Sequence, residues 1–276
     1  MELTIMSYNI ERGFHSKDHL LEEHRLQAAQ RTVELIEPDL LALTEACYGG
    51  PNSQKIKMNY ASLFNFQYGK FGGYPVFGPK RSDEGGNCLL SRLPLMAEVV
   101  PLAYKSAVRA QIPVDAEDNS NNSTVLMIDV VHPSYSAADD KKISTLEQLL
   151  DSRREPYILM GDFNTVHPED DYDWKQLEEE LQLFNPERAA FLVENWRQAK
   201  LVPWLLGLGL KDALPAEART STVPTNYVYG SPRRGVRMDF MFISPGITVE
   251  DAYIVKNKDT EIASDHYPMV GVFEIW

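Results

Sequence analysis

The order in which short apolar runs and helix-spaced segments follow each other is the feature that most constrains this fold. The chain opens with an alternating strand at residues 3–8, a helical segment at residues 21–35 that Pro38 ends, and a compact apolar run at residues 40–44. Eight more runs of strand length follow in groups separated by helices, which predicts an α+β sandwich with helices outside mixed sheets. These runs are residues 87–91, 96–104, 107–114, 123–132, 157–160, 238–244, 249–255 and 269–276.

Three later segments carry apolar residues at helical spacing, residues 137–150, 171–183 and 187–208. The third overlaps an apolar stretch at residues 191–210, which suits either a lid or wall beside a binding site or a core helix packed on a sheet. The helical recurrence of its leucines and tryptophans favours the core helix. No Pro/Gly/Ser-rich linker divides the chain, so we expect one domain over residues 1–276.

Charge and cysteine content exclude several classes of protein. Lys and Arg total 27 against 40 for Asp and Glu, a net charge of −13, and a chain this acidic does not coat nucleic acid through bulk charge. Local attraction to an anion remains open, because a bound divalent cation reverses the sign of the field inside one pocket. The two cysteines, Cys47 and Cys88, suit neither a zinc ribbon nor a disulfide scaffold by their spacing.

The first residues lack the basic, apolar and cleavage regions of a secretory signal, and no apolar window reaches the length of a membrane span. We therefore expect a cytoplasmic protein without a transmembrane segment. The sequence indicates no obligate protein partner, and we expect a monomer.

Polar side chains stand where the predicted buried strands end. One carboxylate, amide or imidazole at a strand end is most often an ordinary loop residue, but several of them at several strand ends are how sheet proteins assemble a site. We therefore expect one site built from these ends. The residues are Asn9, Glu45, His132, Asp162, Asn164, Asp265 and His266.

Seven short motifs follow one another along the chain: MSYNI at residues 6–10, LTE at 43–45, GNCLLSR at 86–92, VH at 131–132, GDFN at 161–164, RMDFMF at 237–242 and SDHYP at 264–268. Each motif is weak alone, but their ordered combination resembles the endonuclease/exonuclease/phosphatase superfamily over nearly the whole chain. The resemblance implies a four-layered α/β/β/α sandwich of two mixed β-sheets flanked by helices. It also implies divalent-cation-dependent hydrolysis of a phosphoester by direct attack of water on phosphorus.

The resemblance assigns Asn9, Glu45 and Asp265 to a metal site. Mg²⁺ is a hard cation that takes oxygen ligands and keeps several waters, so carboxylates beside an amide carbonyl suit it. We expect Mg²⁺ as the cofactor, with Mn²⁺ as a substitute. Zinc is disfavoured because no thiolates or clustered imidazoles accompany these residues.

Five further residues match catalytic positions of the family. Asp162 resembles the residue that aligns or deprotonates the attacking water, and Asn164 would hold a phosphate oxygen by its amide. His266 resembles the catalytic histidine, either a neutral base or a charged phosphate binder, and Asp239 resembles the carboxylate that orients it. His132 resembles the second histidine of the deoxyribonuclease-like and sphingomyelinase-like branches, which would contact the phosphate or protonate the leaving oxygen.

The substrate class stays open between a small or lipid phosphoester and nucleic acid, and no substrate-binding residue is assigned. We expect a phosphodiesterase or phosphatase first, a DNA or RNA nuclease of the same superfamily second, and an inactive binding scaffold last, since all the motifs are intact. A set of basic residues beside the motifs suits either a positive mouth for phosphate or an ordinary solvated surface. The set is Lys80, Arg81, Arg92, Lys105, Arg109, Arg233, Arg234 and Arg237.

Overall fold

The residues described by the computed structural model cover most of the chain. They are residues 1–18, 20–46, 59–75, 84–103, 105–114, 124–183, 186–225 and 235–276. Some residues named above therefore lie outside the description: one cysteine, four members of the basic set and the ends of two predicted strands. They are Cys47, Lys80, Arg81, Arg233, Arg234, Tyr104 and Ser123.

The described residues form twelve strands in two six-stranded sheets. In chain order the strands are β1 (Glu2–Asn9), β2 (Leu40–Thr44), β3 (Tyr68–Pro75), β4 (Glu84–Ser91), β5 (Met96–Pro101), β6 (Ser106–Pro113), β7 (Val125–Val131), β8 (Tyr157–Asp162), β9 (Lys211–Asp212), β10 (Asp239–Ile243), β11 (Ile247–Ile254) and β12 (Met269–Ile275). The first sheet has the spatial order β11, β12, β1, β2, β4, β3, and the second has the order β5, β6, β7, β8, β10, β9. β1 is parallel to β2 and β7 is parallel to β8, whereas the other neighbours are antiparallel, so both sheets are mixed.

Most of the helices lie on the outer faces of the sheets. In chain order they are α1 (Glu23–Ile36), α2 (Tyr60–Leu63), α3 (Asp139–Leu150), α4 (Trp174–Gln182), α5 (Ala189–Arg197), α6 (Leu201–Gly207) and α7 (Thr260–Ala263). The α1, α2 and α7 helices cover the first sheet, and α3 and α6 cover the second. Within the described residues, none of these helices is long and apolar enough to cross a membrane.

The period-two alternation of the strands separates three apolar layers. Ile5 of β1 points between the sheets and packs with Ile158 of β8, whereas its neighbour Met6 points outward toward Val33 of α1. On the other side, Leu159 of β8 packs beneath the helices of the second sheet. Two sheets with apolar contacts between them and helices outside both confirm the predicted four-layered α/β/β/α sandwich.

Strand β3 is not indicated by the sequence because three of its eight residues are glycines, which weaken a strand pattern. The glycines permit close packing instead. A Cβ atom on Gly72 would lie 2.9 Å from Cγ2 of Val108, and one on Gly86 of the neighbouring strand would lie 2.3 Å from the ring of Phe71. The strand therefore depends on contacts with other strands, which its own residue pattern does not reveal.

The segment predicted as one helix over residues 187–208 is instead two helices, α5 and α6. The carboxylate of Asp139 accepts hydrogen bonds from the backbone N–H groups of Lys200 and Leu201, at 2.8 and 3.0 Å, and so stabilises the start of α6. Pro203 lies in the first turn of α6, where no intrahelical donor is needed. Leu205 of α6 is fully buried against the second sheet, as expected for a core helix, whereas Phe191 of α5 is exposed.

Candidate active site

The inner faces of five strands become polar at the same end of the sandwich. On β8, Ile158 and Met160 are apolar core residues, and the next inward position is Asp162. Because side chains alternate along a strand, each terminal polar residue continues the row that points between the sheets. The other inward polar ends are Asn9 of β1, Thr44 of β2, His132 just after β7, and Asp239 at the start of β10.

Asp162 lies at the centre of this polar end and is only 1% exposed. Its Oδ2 atom accepts a hydrogen bond from Nδ2 of Asn9 at 3.0 Å and lies 3.3 Å from Nε2 of His132. Its Oδ1 atom accepts a hydrogen bond from the backbone N–H of Asn164 at 2.8 Å. Nε2 of His266 lies 4.0 Å from Oδ2. One carboxylate thus joins residues from both sheets.

The surroundings of Asp162 keep it ionised. Burial alone would raise the pKa of Asp162, but the hydrogen bond from His132, the charges of His266 and His132, and the N–H of Asn164 lower it below its ordinary value. An ionised carboxylate accepts hydrogen bonds from a water molecule. A carboxylate with so low a pKa is better suited to orienting a water molecule than to accepting its proton as a general base.

His266 and Asp239 form a buried pair beside Asp162. Nδ1 of His266 lies 2.7 Å from Oδ2 of Asp239, and the two residues are 7% and 1% exposed. Burial alone would lower the pKa of His266, but the charges of Asp239, Asp265 and Asp162 and the hydrogen bond to Asp239 raise it well above 6.5. These surroundings favour the protonated ring, and an imidazolium donates hydrogen bonds from both nitrogen atoms.

Three predicted metal ligands offer oxygen atoms next to this cluster. The Glu45 side chain is 33% exposed, and its Oε1 atom lies 3.8 Å from Nε2 of His132. The Oδ1 atom of Asn9 accepts a hydrogen bond from the N–H of Glu11 at 3.0 Å and keeps a second lone pair. The Oδ1 atom of Asp265 lies 3.3 Å from the Ser264 hydroxyl. All eight predicted site residues thus lie in one connected group.

These oxygen donors fit a hard divalent cation. Burial raises the pKa of Asp265, the charge of His266 lowers it, and the negative charges of Glu45 and Asp162 raise it further. The carboxylates of Asp265, Glu45 and Asp162 are therefore close enough to repel one another, and a cation between them would relieve that repulsion. In the described part of the chain, no three His, Cys, Asp or Glu side chains form a complete metal cage. Mg²⁺ does not need one, because it keeps several waters and binds through one or two carboxylates.

Backbone conformations at the site are unusual. Glu45 and Asn164 have φ values of 55° and 49°, in the left-handed region that residues other than glycine rarely adopt. Gly161 has φ 139°, and a Cβ atom there would lie 2.0 Å from the carbonyl oxygen of Val131. Such conformations persist only where the surrounding structure holds them, and they cluster at functional sites.

Sequence reasoning missed two side chains that hold the site together. Nζ of Lys142 on α3 donates to the carbonyl oxygen of Asn164 at 2.6 Å, although on a polar helix a lysine indicates only a solvated face. The hydroxyl of Ser264 donates to the carbonyl oxygen of Asn9 at 2.7 Å and so joins the two ends of the chain. The SDHYP motif contained Ser264 without assigning it a role.

Nδ2 of Asn164 donates to the carbonyl oxygen of Pro133 at 3.0 Å, which leaves its second amide proton for a ligand.

Two residues of the basic set are internal ion-pair partners. Nε and Nη2 of Arg109 bind the carboxylate of Asp129 at 2.9 and 2.7 Å. Arg237 binds Asp170 at 2.9 Å and Asp212 at 2.7 Å. The two arginines are 6% and 1% exposed, so neither alternative for the basic set, a positive mouth or a solvated surface, applies to them.

Comparison with known proteins relates the whole chain to one group. The sequence profile of the Endonuclease/Exonuclease/phosphatase family matches residues 6–266. A solved endonuclease/exonuclease/phosphatase from Beutenbergia cavernae DSM 12333 is 19% identical, with a TM-score of 0.67, over 99% of this chain and 72% of that chain. An AP endonuclease from Archaeoglobus fulgidus is 19% identical, with a TM-score of 0.62, over 99% of this chain and 100% of that chain.

The human Nocturnin catalytic domain with bound sulfate anion is 15% identical, with a TM-score of 0.60, over 100% of this chain and 94% of that chain. At these identities the likeness of the solved structures shows the fold alone. No curated protein matches the chain in sequence.

Proposed function

This chain belongs to the endonuclease/exonuclease/phosphatase family, whose members hydrolyse phosphoester bonds, and we propose that it is a Mg²⁺-dependent hydrolase of a small or lipid-derived phosphoester. One observation carries the proposal. Polar side chains from both sheets meet at one end of the sandwich around Asp162, with carboxylate and amide oxygens beside a buried imidazolium. Mn²⁺ is the expected substitute for Mg²⁺ because it accepts the same oxygen ligands.

Asn9, Glu45 and Asp265 would hold the cation. A bound Mg²⁺ would polarise a phosphoryl oxygen and offset negative charge on the leaving oxygen. The backbone N–H of Arg12 donates to Oε2 of Glu45 at 3.2 Å, so that carboxylate is oriented by the protein itself. A ligand oriented in advance loses less conformational freedom on binding.

The other residues act on the water and the phosphate. Oδ2 of Asp162 orients a water molecule for direct attack on phosphorus, without a covalent enzyme intermediate. The second amide proton of Asn164 and the Nε2 proton of His266 donate to phosphate oxygens, whose negative charge increases in the transition state. Asp239 fixes the His266 ring by accepting from Nδ1. His132, 3.3 Å from Asp162, contacts the phosphate or protonates the leaving oxygen.

Charge favours a small substrate over a nucleic acid. A protein that binds a long polyanion neutralises several phosphates with Lys and Arg. This chain has a net charge of −13, and both Arg109 and Arg237 are committed to internal carboxylates. A site that recognises one phosphate needs only the cation, the imidazolium and the amide donor.

The experiment is hydrolysis of a substrate panel with and without Mg²⁺. The panel contains bis-p-nitrophenyl phosphate, p-nitrophenyl phosphate, single-stranded RNA and supercoiled plasmid, with EDTA as the blank. Glu45→Gln removes one ligand charge, and Glu250→Gln, at an exposed position of β11, is the matched control. We expect Mg²⁺-dependent hydrolysis of a small ester that falls about 100-fold or more in Glu45→Gln and is unchanged in Glu250→Gln.

Two results would contradict the proposal. Nicking of the plasmid that is lost in Glu45→Gln would make the protein a nuclease despite its acidity. No hydrolysis of any substrate, together with no Mg²⁺ binding by calorimetry, would make it a binding scaffold.

A further inference from the structure

A buried guanidinium on α1 joins the two loops that carry proposed cation ligands. Arg25 is 0% exposed, and its Nε atom donates to the carbonyl oxygen of Ala263 at 2.9 Å, two residues before Asp265. Its Nη2 atom donates to the carbonyl oxygen and to Oε2 of Glu11, at 3.3 and 3.1 Å, two residues after Asn9. The donors of a guanidinium have a fixed planar geometry. Arg25 therefore sets the separation of the Asn9 loop from the Asp265 loop.

The loop after Asn9 needs such support. Its residues Glu11, Arg12, Gly13 and Phe14 all have positive φ values, 33°, 55°, 59° and 67°. L-residues other than glycine rarely adopt this conformation, and a run of them persists only where neighbouring groups hold it. Arg25 supplies two hydrogen bonds to the first of these residues.

The same turn orients a third proposed ligand. The N–H of Arg12, inside the turn, donates to Oε2 of Glu45 at 3.2 Å. A change in the turn would move that donor and release the carboxylate. Arg25 is thus linked to Asn9, Glu45 and Asp265 without lying among them.

We propose that Arg25 is a positioning residue for the cation site, a proposal that rests on the proposed function. Its guanidinium holds the Asn9 and Asp265 loops at the separation that cation binding requires, and it holds the turn that orients Glu45. Its loss weakens binding of the cation more than it slows the cation-loaded enzyme.

The sign of the effect separates this role from a purely electrostatic one. Arg25 carries a positive charge close to anionic ligands, so removing that charge alone would strengthen cation binding. Removing a residue that positions the ligands weakens it. A positioning role and a charge-only role therefore predict opposite changes in the cation affinity of Arg25→Met.

The chain offers a matched control on the same helix. Arg31 of α1 is an exposed residue whose Nη2 atom lies 2.7 Å from Oδ1 of Asp259, the residue that precedes α7. Arg31→Met thus removes a guanidinium that joins the same two elements without contact to the loops of Asn9 or Asp265.

The experiment measures Mn²⁺ and Mg²⁺ affinity by calorimetry without substrate, for the wild type, Arg25→Met, Arg25→Lys and Arg31→Met, well below each melting temperature. We expect Kd to rise about 10-fold or more in Arg25→Met and to stay near the wild-type value in Arg31→Met. Arg25→Lys keeps the positive charge but loses the planar set of guanidinium donors, so the Kd of this variant should also rise. In hydrolysis, the Mg²⁺ concentration for half-maximal rate should rise while kcat at saturating Mg²⁺ stays within about threefold.

The outcomes distinguish this proposal from the proposed function. A wild type that binds no divalent cation would refute the proposed function. A wild type that binds, with Arg25 variants of equal or higher affinity, would overturn the positioning role alone. If Arg25→Met does not fold, Arg25→Lys decides the question, because a Kd equal to the wild-type value would overturn the proposal.

Discussion

Replacing Asp239 by Asn is expected to make activity decline at a lower pH on the alkaline side of the pH profile. The carboxylate of Asp239 lies 2.7 Å from Nδ1 of His266 and, against the opposing effect of burial, helps to raise the pKa of that imidazole. Asn keeps the size of the side chain and one oxygen acceptor, so the ring loses the neighbouring charge but keeps its partner. Without that charge the imidazolium is less stable. The pKa of His266 therefore falls, and the alkaline limb moves to lower pH.

The size of the effect follows from the hydrogen bond. A hydrogen bond to a charged group contributes about 1.5–3 kcal/mol and a neutral one about 0.5–1.5 kcal/mol. The difference, about 1–1.5 kcal/mol, corresponds to roughly tenfold less imidazolium at a given pH on the alkaline limb. We therefore expect kcat/KM of Asp239→Asn to be about tenfold below the wild type on that limb and to approach the wild-type value on its acid side, where the ring is protonated in both proteins.

The assay is kcat/KM from about pH 6 to about pH 10 at saturating Mg²⁺. An NMR titration of the His266 imidazole without metal accompanies it, with the exposed His24 as internal reference. A loss of kcat/KM that is equal at every pH would refute the reasoning that Asp239 acts through its charge, and so would an unmoved titration of His266.

Three other variants test the site and its support. Asn164→Asp keeps a side chain that tolerates φ 49° but replaces a donor by an anion and loses the hydrogen bond to Pro133, so kcat should fall about 100-fold with a much smaller effect on the melting temperature, and a normal kcat would remove Asn164 from the mechanism. Arg109→Met leaves the buried Asp129 without its ion-pair partner, so the free energy of unfolding in urea should fall by about 3–5 kcal/mol, and a loss below about 1 kcal/mol would contradict this. Gly161→Ala places a Cβ atom 2.0 Å from the carbonyl oxygen of Val131, so melting temperature and activity should fall together, whereas wild-type melting would show that the backbone is not constrained there.

The fold was predictable where strands follow the period-two pattern and not where they depend on close packing. β8 was predicted from its apolar run because every residue in it is buried. β3 was missed because its glycines fit against Val108 and Leu90 of other strands, and the sequence of β3 does not contain those contacts. The break between α5 and α6 was missed for the same reason, because Asp139 stabilises the start of α6 from a distance of 62 residues along the chain.

The candidate site was predictable as a set of residues but not as a network. The motifs identified eight side chains, and all eight meet at the polar end of the sandwich. Lys142 and Arg25 gave no signal, since a basic residue on an amphipathic helix indicates a solvated face. In the structure both are buried, and each donates to a carbonyl oxygen of a loop that carries site residues.

Residue order alone determined the layered architecture and the chemical groups available to the site, because side-chain type and the alternation along a strand are local properties. Only the tertiary structure decided the protonation and the ion pairing of those groups. The pKa of Asp162 is lowered and that of His266 is raised because partners more than 25 residues away in sequence lie close in space, as His132 does to Asp162 and Asp239 to His266. Arg109 and Arg237 are internal rather than substrate-facing because Asp129 and Asp170 compensate their charges inside the fold. A pKa and an ion pair depend on distances between atoms, and folding sets those distances.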